Sequence, residues 1–400
     1  MSREFEYLIV GGGLAAASAV DGVRAGDAEG SVLMLAEESE PPYHRPPLSK
    51  EYVQASEAPR ELLHIKPRGW FEREAGITLR LGERAVGLQP RELTVTTSGG
   101  AAYRGGHVLL ATGGRPRALE IPGSELQGLF TLRTVEDAER IRAAALGAEQ
   151  AVLVGSGFIG MELASSLTKL GVSCTVVEAA DRVWPGLLPP ELSKFMQEYF
   201  EARGVRFRLG SRPRELHGSG GRLIAALLDD GVELPCQLAV AGLGIVPRTE
   251  LAAEAGLEVD DGIVVNGCGE TSHDHIYAAG DAARFPDPLS GHLTRVEHWD
   301  HARAHGKCVG RNMAGDRQPY DHLSYFFTHV FDLGISVFGR PAEADRVILR
   351  GAPEAGRSLA LCGVQGRLCG AILINANDEL RRCQELVRQR PPLSEVEREL

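Results

Sequence analysis

The chain has 400 residues, with 43 Lys and Arg against 54 Asp and Glu, a formal net charge of −11. Such acidity argues against a nucleic-acid partner, whose phosphates it would repel overall. Hydrophobic residues make up 43% and charged residues 24%, the balance of a globular chain able to bury two or three cores. No apolar run reaches the roughly 20 residues that a membrane-spanning helix needs.

The first element is an apolar strand, Tyr7-Leu8-Ile9-Val10, which runs into Gly11-Gly12-Gly13-Leu14-Ala15-Ala16. Strand, glycine turn and helix start together place backbone N–H groups and a helix dipole where a dinucleotide pyrophosphate sits. Leu8–Val20 has some of the character of a signal-peptide core, but its three glycines and the acid downstream favour the cofactor reading. The second strand, Ser31–Ala36, delivers Glu37, placed to accept hydrogen bonds from an adenosine ribose. A proline-rich stretch, Pro41-Pro42-Tyr43-His44-Arg45-Pro46-Pro47-Leu48-Ser49-Lys50, predicts an extended turn. The βαβ-rich pattern continues to Ala111-Thr112-Gly113-Gly114-Arg115-Pro116-Arg117, followed by a hinge through Pro116 and Pro122.

A helix over Val135–Ala145 leads into a second unit of the same kind. Strand Ala151–Val154 enters Gly155-Ser156-Gly157-Phe158-Ile159-Gly160, and strand Ser173–Val177 ends on Glu178. One glycine loop is weak evidence. Two complete units imply two dinucleotides bound together, hence a flavin reduced by a nicotinamide. Helix Glu191–Ala202 and strands between Val205 and Leu234 carry the second unit to about Gly242, with Gly244 close behind.

Strands Ile263–Val265 and Ile276–Ala278 return the chain to the first domain and deliver Gly280-Asp281, a carboxylate suited to a flavin's ribityl hydroxyls. A helix over Trp299–Met313 follows, then a Gly-Asp-Arg-Gln-Pro linker at 315–319. His298 and His301 lack a third ligand for a metal and read as helix-capping or packing residues, while His305 reads as surface. Beyond Tyr320 come short strands at Tyr325–Phe331, Ile335–Phe338, Val347–Leu349, Ser358–Leu361 and Leu368–Ile374, and a helix near Asp378–Arg388. The seven cysteines include no Cys-x-x-Cys and no pair at metal-ligand spacing. They read as buried and unreactive, in keeping with a reducing, cytoplasmic location and no bound metal.

These motifs together resemble the flavoprotein reductases with two dinucleotide-binding domains. Within that group the chain is similar to oxygenase-coupled ferredoxin reductases, apoptosis-inducing factor and monodehydroascorbate reductases. The resemblance rests on the proline-rich segment, on Gly157-Phe158-Ile159-Gly160-Met161-Glu162-Leu163-Ala164 and on Arg295-Val296-Glu297-His298-Trp299-Asp300-His301-Ala302. It implies an α/β fold of two Rossmann-like dinucleotide-binding domains plus a small C-terminal α+β cap domain. The FAD-binding domain would cover residues 1–117 and 244–319, the NAD-binding domain 118–243, and the cap or interface domain 320–400.

By the same resemblance, Gly11, Gly13, Leu14, Ala15, Glu37, Arg45, Lys50, Ala111, Thr112, Gly113, Arg117, Gly280, Asp281, Glu297, His298, Trp299 and Phe327 would serve FAD. Gly155, Gly157, Phe158, Ile159, Gly160, Glu178, Gly242 and Gly244 would serve NADH. Lys50 and Glu162 would pair beside flavin N5 as the catalytic residues, and Glu297 would also help hold the nicotinamide carboxamide. Disulfide reductases of this architecture carry a redox cysteine pair where this chain has Pro41–Lys50, so thiol chemistry is excluded. The cap run Tyr325-Phe326-Phe327-Thr328-His329-Val330-Phe331 lies nearer the monodehydroascorbate reductases, but His329 stands where those enzymes use arginine. The implied activity is an FAD-dependent NADH oxidoreductase with a small iron–sulfur protein as acceptor. A quinone or small organic radical is the second acceptor class, and a slow-turnover interaction role the third reading. Residues 60–117 carry ten Lys and Arg against five Asp and Glu, an excess that either steers an acidic ferredoxin or is a solvated face. A monomer and a weak homodimer are both compatible with the sequence.

Overall fold

Tyr7, Leu8, Ile9 and Val10 are all buried, so β1 (Arg3–Val10) has no solvent face at its carboxyl end. A strand covered on both sides belongs in a parallel sheet with helices above and below. The computed structural model, which describes residues 3–399, places it there. β1 pairs in parallel with β2 (Val32–Leu35), in the register Leu8 to Leu33 and Ile9 to Met34, and with strand Ala102–Leu110 on its other side. Strands Thr78–Arg80 and Ile276–Ala278 extend the parallel part, and Thr94–Thr97 and Ala85–Gln89 continue it antiparallel.

This sheet belongs to the first of two units, formed by the chain up to His44, Pro59–Arg115 and Val246–Ser324. Helix α1 (Leu14–Gly26) packs in it against helix Trp299–Met313 at backbone contact. A Cβ on Gly306 would lie 2.2 Å from Ala15 O, one on Gly310 2.2 Å from Ala19 O, and one on Gly22 2.2 Å from Lys307 O. Residues 15, 19 and 22 share one face of their helix, and 306 and 310 one face of theirs. The boundary falls later than the linker at 315–319 suggests. The Tyr320 ring packs in the first unit against Phe285 (5.4 Å) and His301 (5.4 Å).

The second unit contains Arg45–Ala58, Pro116–Ile245 and the chain from Tyr325 onward. Its parallel sheet runs Arg206–Leu209, Ser173–Glu178, Gln150–Val154, Leu238–Ala241, Leu129–Phe130, beside a three-stranded antiparallel ribbon between Pro213 and Pro235. Residues from Tyr325 form a five-stranded antiparallel sheet in the order Tyr325–Val330, Leu333–Gly339, Arg367–Ile374, Arg357–Val364, Arg346–Ala352. Helix Leu380–Gln389 covers it with Cys383 and Val387, four residues apart on one face. The proline-rich segment differs from the expected extended turn. Pro46–Ser49 is a 3₁₀ turn and Glu51–Gln54 a helical turn, because the fixed φ of proline also suits the first positions of a helix.

Candidate active site

In the first unit the glycine loop does what its residue types require. Gly11 has φ +138° and would drive a Cβ into Ala111 O at 2.2 Å, and a Cβ on Gly12 would meet Ala36 Cβ at 2.5 Å. A Cβ on Gly13 would meet nothing within 4 Å, so the loop is open where α1 begins. Gly13 caps α1 without a side-chain hydrogen bond, Leu14 starts the helix, and Ala15 is buried behind it. Such a cradle fits a pyrophosphate on backbone N–H groups. Ala111 N–H donates to Val10 O, Thr112 Oγ1 donates to Arg248 O at 2.6 Å, and Gly113 sits at φ +65°. Glu37, at the end of the second strand, is flanked by Arg84 and ion-paired with Arg248. Arg248 was not among the expected site residues.

Gly280 takes φ +72°, and its N–H points to His305 Nδ1 at 3.4 Å. Arg295 holds the segment between, with Nη1 near Asp281 O at 3.4 Å and Glu297 Oε1 at 2.5 Å. Trp299 Nε1 donates to His44 Nδ1 at 3.1 Å, tying two of the sequence motifs together. His298 precedes helix Trp299–Met313 but its side chain caps nothing; desolvation pushes its pKa down to about 3. His301 packs instead, stacked on Phe285 at 4.6 Å and bonded through Nδ1 to Tyr320 Oη at 2.9 Å. His305 is a correction to the expected surface position. It is 0% exposed, one helical turn past His301, and burial holds its pKa at about 3.

The second cradle lies wholly in the second unit. A Cβ on Gly160 would sit 2.0 Å from Gly155 O, and one on Gly155, at φ +97°, 2.7 Å from Gly242 O. These close approaches need glycine. Gly157 caps helix Phe158–Lys169 without a side-chain bond, and Gly244 O accepts from Arg117 N–H at 3.0 Å. Glu178 accepts from its own loop: Ser156 N and Oγ at 2.7 and 2.8 Å, and Ala180 N at 2.8 Å. Phe158 stacks on Phe326 at 5.5 Å, and Ile159 follows it on the first helical turn.

In the same unit Lys50 Nζ lies 2.8 Å from Glu162 Oε2, with both side chains under 10% exposed. All three ammonium protons have partners, the others being Pro46 O at 2.8 Å and Ser49 Oγ at 3.4 Å. Glu162 also accepts from Ser49 Oγ and, at 2.6 Å, from Thr328 Oγ1. Ser49 and Thr328 were not anticipated. Their sequence separation from Glu162 leaves no local signal. Arg45 Nη1 donates to Arg133 O at 2.5 Å, and the Arg117 side chain is exposed. Phe327 is half-buried on strand Tyr325–Val330, opposite Ser336 and 5.9 Å from the Tyr325 ring. Of the seven cysteines expected to be buried, Cys268 and Cys308 are only half-buried; desolvation raises the pKa of all seven thiols, and none is disulfide-bonded.

Comparison with known proteins agrees with this geometry. Residues 5–306 match the family described as pyridine nucleotide-disulphide oxidoreductase, and residues 325–397 match the reductase C-terminal family. The 5,5'-dehydrodivanillate O-demethylase ferredoxin reductase subunit of Sphingobium sp. is 36% identical over 386 residues, 96% of this chain and 93% of that protein. A crystal structure of the ferredoxin reductase for the CYP199A2 system from Rhodopseudomonas palustris superimposes with a TM-score of 0.90 at 33% identity, covering 94% and 92% of the two chains. The covalent putidaredoxin reductase–putidaredoxin complex gives a TM-score of 0.92 at 30% identity, covering 97% and 94%. Two glycine cradles, a buried Lys–Glu pair and a match over most of its length place the chain in the pyridine nucleotide-disulphide oxidoreductase family, with a reductase C-terminal domain.

Proposed function

We propose that the chain is an FAD-dependent NADH oxidoreductase that passes electrons to a ferredoxin-type iron–sulfur protein. The observation that carries this reading is the buried Lys50–Glu162 pair, in a segment that has no redox cysteine. FAD supplies a centre that takes a hydride and returns the two electrons singly. The first cradle would hold its pyrophosphate on the N–H groups after Gly11 and Gly13. Glu37 accepts from the ribose, and Asp281 from the ribityl chain. The dipole at the start of helix Trp299–Met313 would favour negative charge developing on a bound flavin. The second cradle, with Gly155, Gly157, Gly160, Gly242 and Gly244, holds NADH. Glu178 accepts from the 2′-hydroxyl there and repels a 2′-phosphate. Lys50 and Glu162 would orient the hydride-accepting group, Glu297 would help hold the carboxamide, and Phe327 would help exclude water.

The names of the relatives support an iron–sulfur acceptor. The aromatic run at Tyr325–Phe327 keeps a quinone or small radical as the second acceptor class. Seven unpaired cysteines support a reducing, cytoplasmic compartment. The purified protein should release about one FAD per chain on denaturation. In anaerobic stopped flow NADH should bleach the flavin, and a [2Fe–2S] ferredoxin added afterwards should be reduced. A colourless protein that refuses FAD would end the reading, and ferredoxin left oxidised beside rapid quinone reduction would move it to the second class.

A further inference from the structure

Helix Phe158–Lys169 and strand Tyr325–Val330 are zipped together within the second unit. Positions 158, 162, 165 and 169 form one helix face. Phe158 stacks on Phe326, Glu162 accepts from Thr328, Ser165 Oγ accepts from Phe331 N–H at 2.7 Å, and Lys169 Nζ donates to Phe331 O at 3.2 Å. Glu162 is the buried charge of this seam, and Thr328, its partner there, is 1% exposed. The two carboxylate oxygens have different partners: Ser49 and Lys50 meet Oε2, and Thr328 meets Oε1.

We propose that Thr328 is a positioning residue for hydride transfer, acting through Glu162. The terminal torsion of a glutamate is broad and roughly two-fold, so one ion pair does not fix the plane of the carboxylate. A second donor on Oε1 fixes it and keeps Oε2 turned to the Lys50 ammonium. Thr328 stands next to Phe327 on the same strand, so the cap domain takes part in holding the Lys50–Glu162 pair. The inference rests on the proposed role of that pair.

Its test compares Thr328→Val, which keeps the shape and removes the hydroxyl, with Thr328→Ser, which keeps the hydroxyl. FAD content, the rate of flavin reduction by NADH, and the long-wavelength absorbance that NAD⁺ raises when titrated into dithionite-reduced holoenzyme would be measured. Thr328→Val should lower the limiting reduction rate by about tenfold or more, the equivalent of a single misplaced polar contact. FAD content and the NADH concentration at half-maximal rate should stay near wild type. The NAD⁺-dependent band should weaken in Thr328→Val and return in Thr328→Ser, as should the rate. Wild-type rates in Thr328→Val, or equal losses in the Val and Ser variants, would overturn the proposal. If Thr328→Val loses FAD or fails to fold, Thr328→Ala against Thr328→Ser makes the same comparison. If NADH does not reduce the wild-type flavin, the function proposed above fails, and this inference fails with it.

Discussion

At Lys50 every ammonium proton is already bonded inside the chain. The side chain is therefore a fixed charge rather than a mobile one. Replacing either partner by alanine leaves the other charge buried and uncompensated, at a cost of about 3–5 kcal/mol. Lys50→Ala or Glu162→Ala should lower the melting temperature and slow flavin reduction by about tenfold or more, a change of about 1.4 kcal/mol in the barrier. Bound FAD should persist. Equal reduction rates in stopped flow would remove the pair from the hydride site. Glu178 carries the second prediction. Glu178→Gln keeps an acceptor for Ser156 while removing the charge, so the ratio of kcat/KM for NADH over NADPH should fall; an unchanged ratio would show that the carboxylate does not select against a 2′-phosphate. The positions of the glycine loops and of Glu178 at strand ends were legible because the spacing of one βαβ unit, 22 residues from Ser156 to Glu178, is itself a sequence signal. Arg248 on Glu37 and Thr328 on Glu162 were not, since only the fold brings together residues 211 and 166 positions apart.

Among the elements, helices with a clear inward stripe were read well: Val135–Ala145 and Trp299–Met313 appear with the expected limits. What the stripe consists of was harder to read. His301, His305 and Val309 recur every four residues on the buried face of helix Trp299–Met313, but two of the three are histidines, which a hydrophobic pattern scores as polar. That is why His305 was expected at the surface. The glycines of this helix were likewise silent, because helical periodicity says nothing about how closely a neighbour approaches. Gly310→Ala would put a methyl 2.2 Å from the Ala19 carbonyl oxygen, a backbone atom that cannot move alone. The expected cost is about 3 kcal/mol or more, at the upper end for overpacking. Urea unfolding and FAD release should both show it. Gly147→Ala, where a Cβ meets nothing within 4 Å, is the matched control and should be nearly neutral.

For the whole molecule the buried histidines set a direction for stability against pH. Burial holds His305 at about 3 and His301 well below its ordinary 6.5, so the folded chain keeps both neutral. Below pH 6.5 the unfolded chain binds protons that the folded chain refuses. Stability therefore falls as pH drops from about 6.5 toward 3, by up to about 1.4 kcal/mol per pH unit for each histidine. Above pH 6.5 they contribute no slope. The urea midpoint should drop between pH 7 and pH 5, and His305→Gln should flatten that drop; an equal drop in the variant would assign the acid lability elsewhere. The local basic excess over residues 60–117 counts for less than the sequence suggests. Arg60, Lys66, Arg84, Arg104 and Arg115 each pair with an acid from outside that stretch.

The glycine-lined crossing of α1 with helix Trp299–Met313 has one more consequence. Interlocked backbones cannot fray separately, since opening either helix exposes the other's carbonyls. The pair should behave as one cooperative opening unit. Amide hydrogens of residues 14–26 and 299–313 should then exchange with deuterium at a shared, slow rate, and Gly310→Ala should accelerate both segments together. Independent acceleration of one alone would show two separately opening helices. Because α1 starts at the glycine cradle and its partner starts beside His298, a cofactor bound at both helix starts, as proposed above, would be released from the two in a single event.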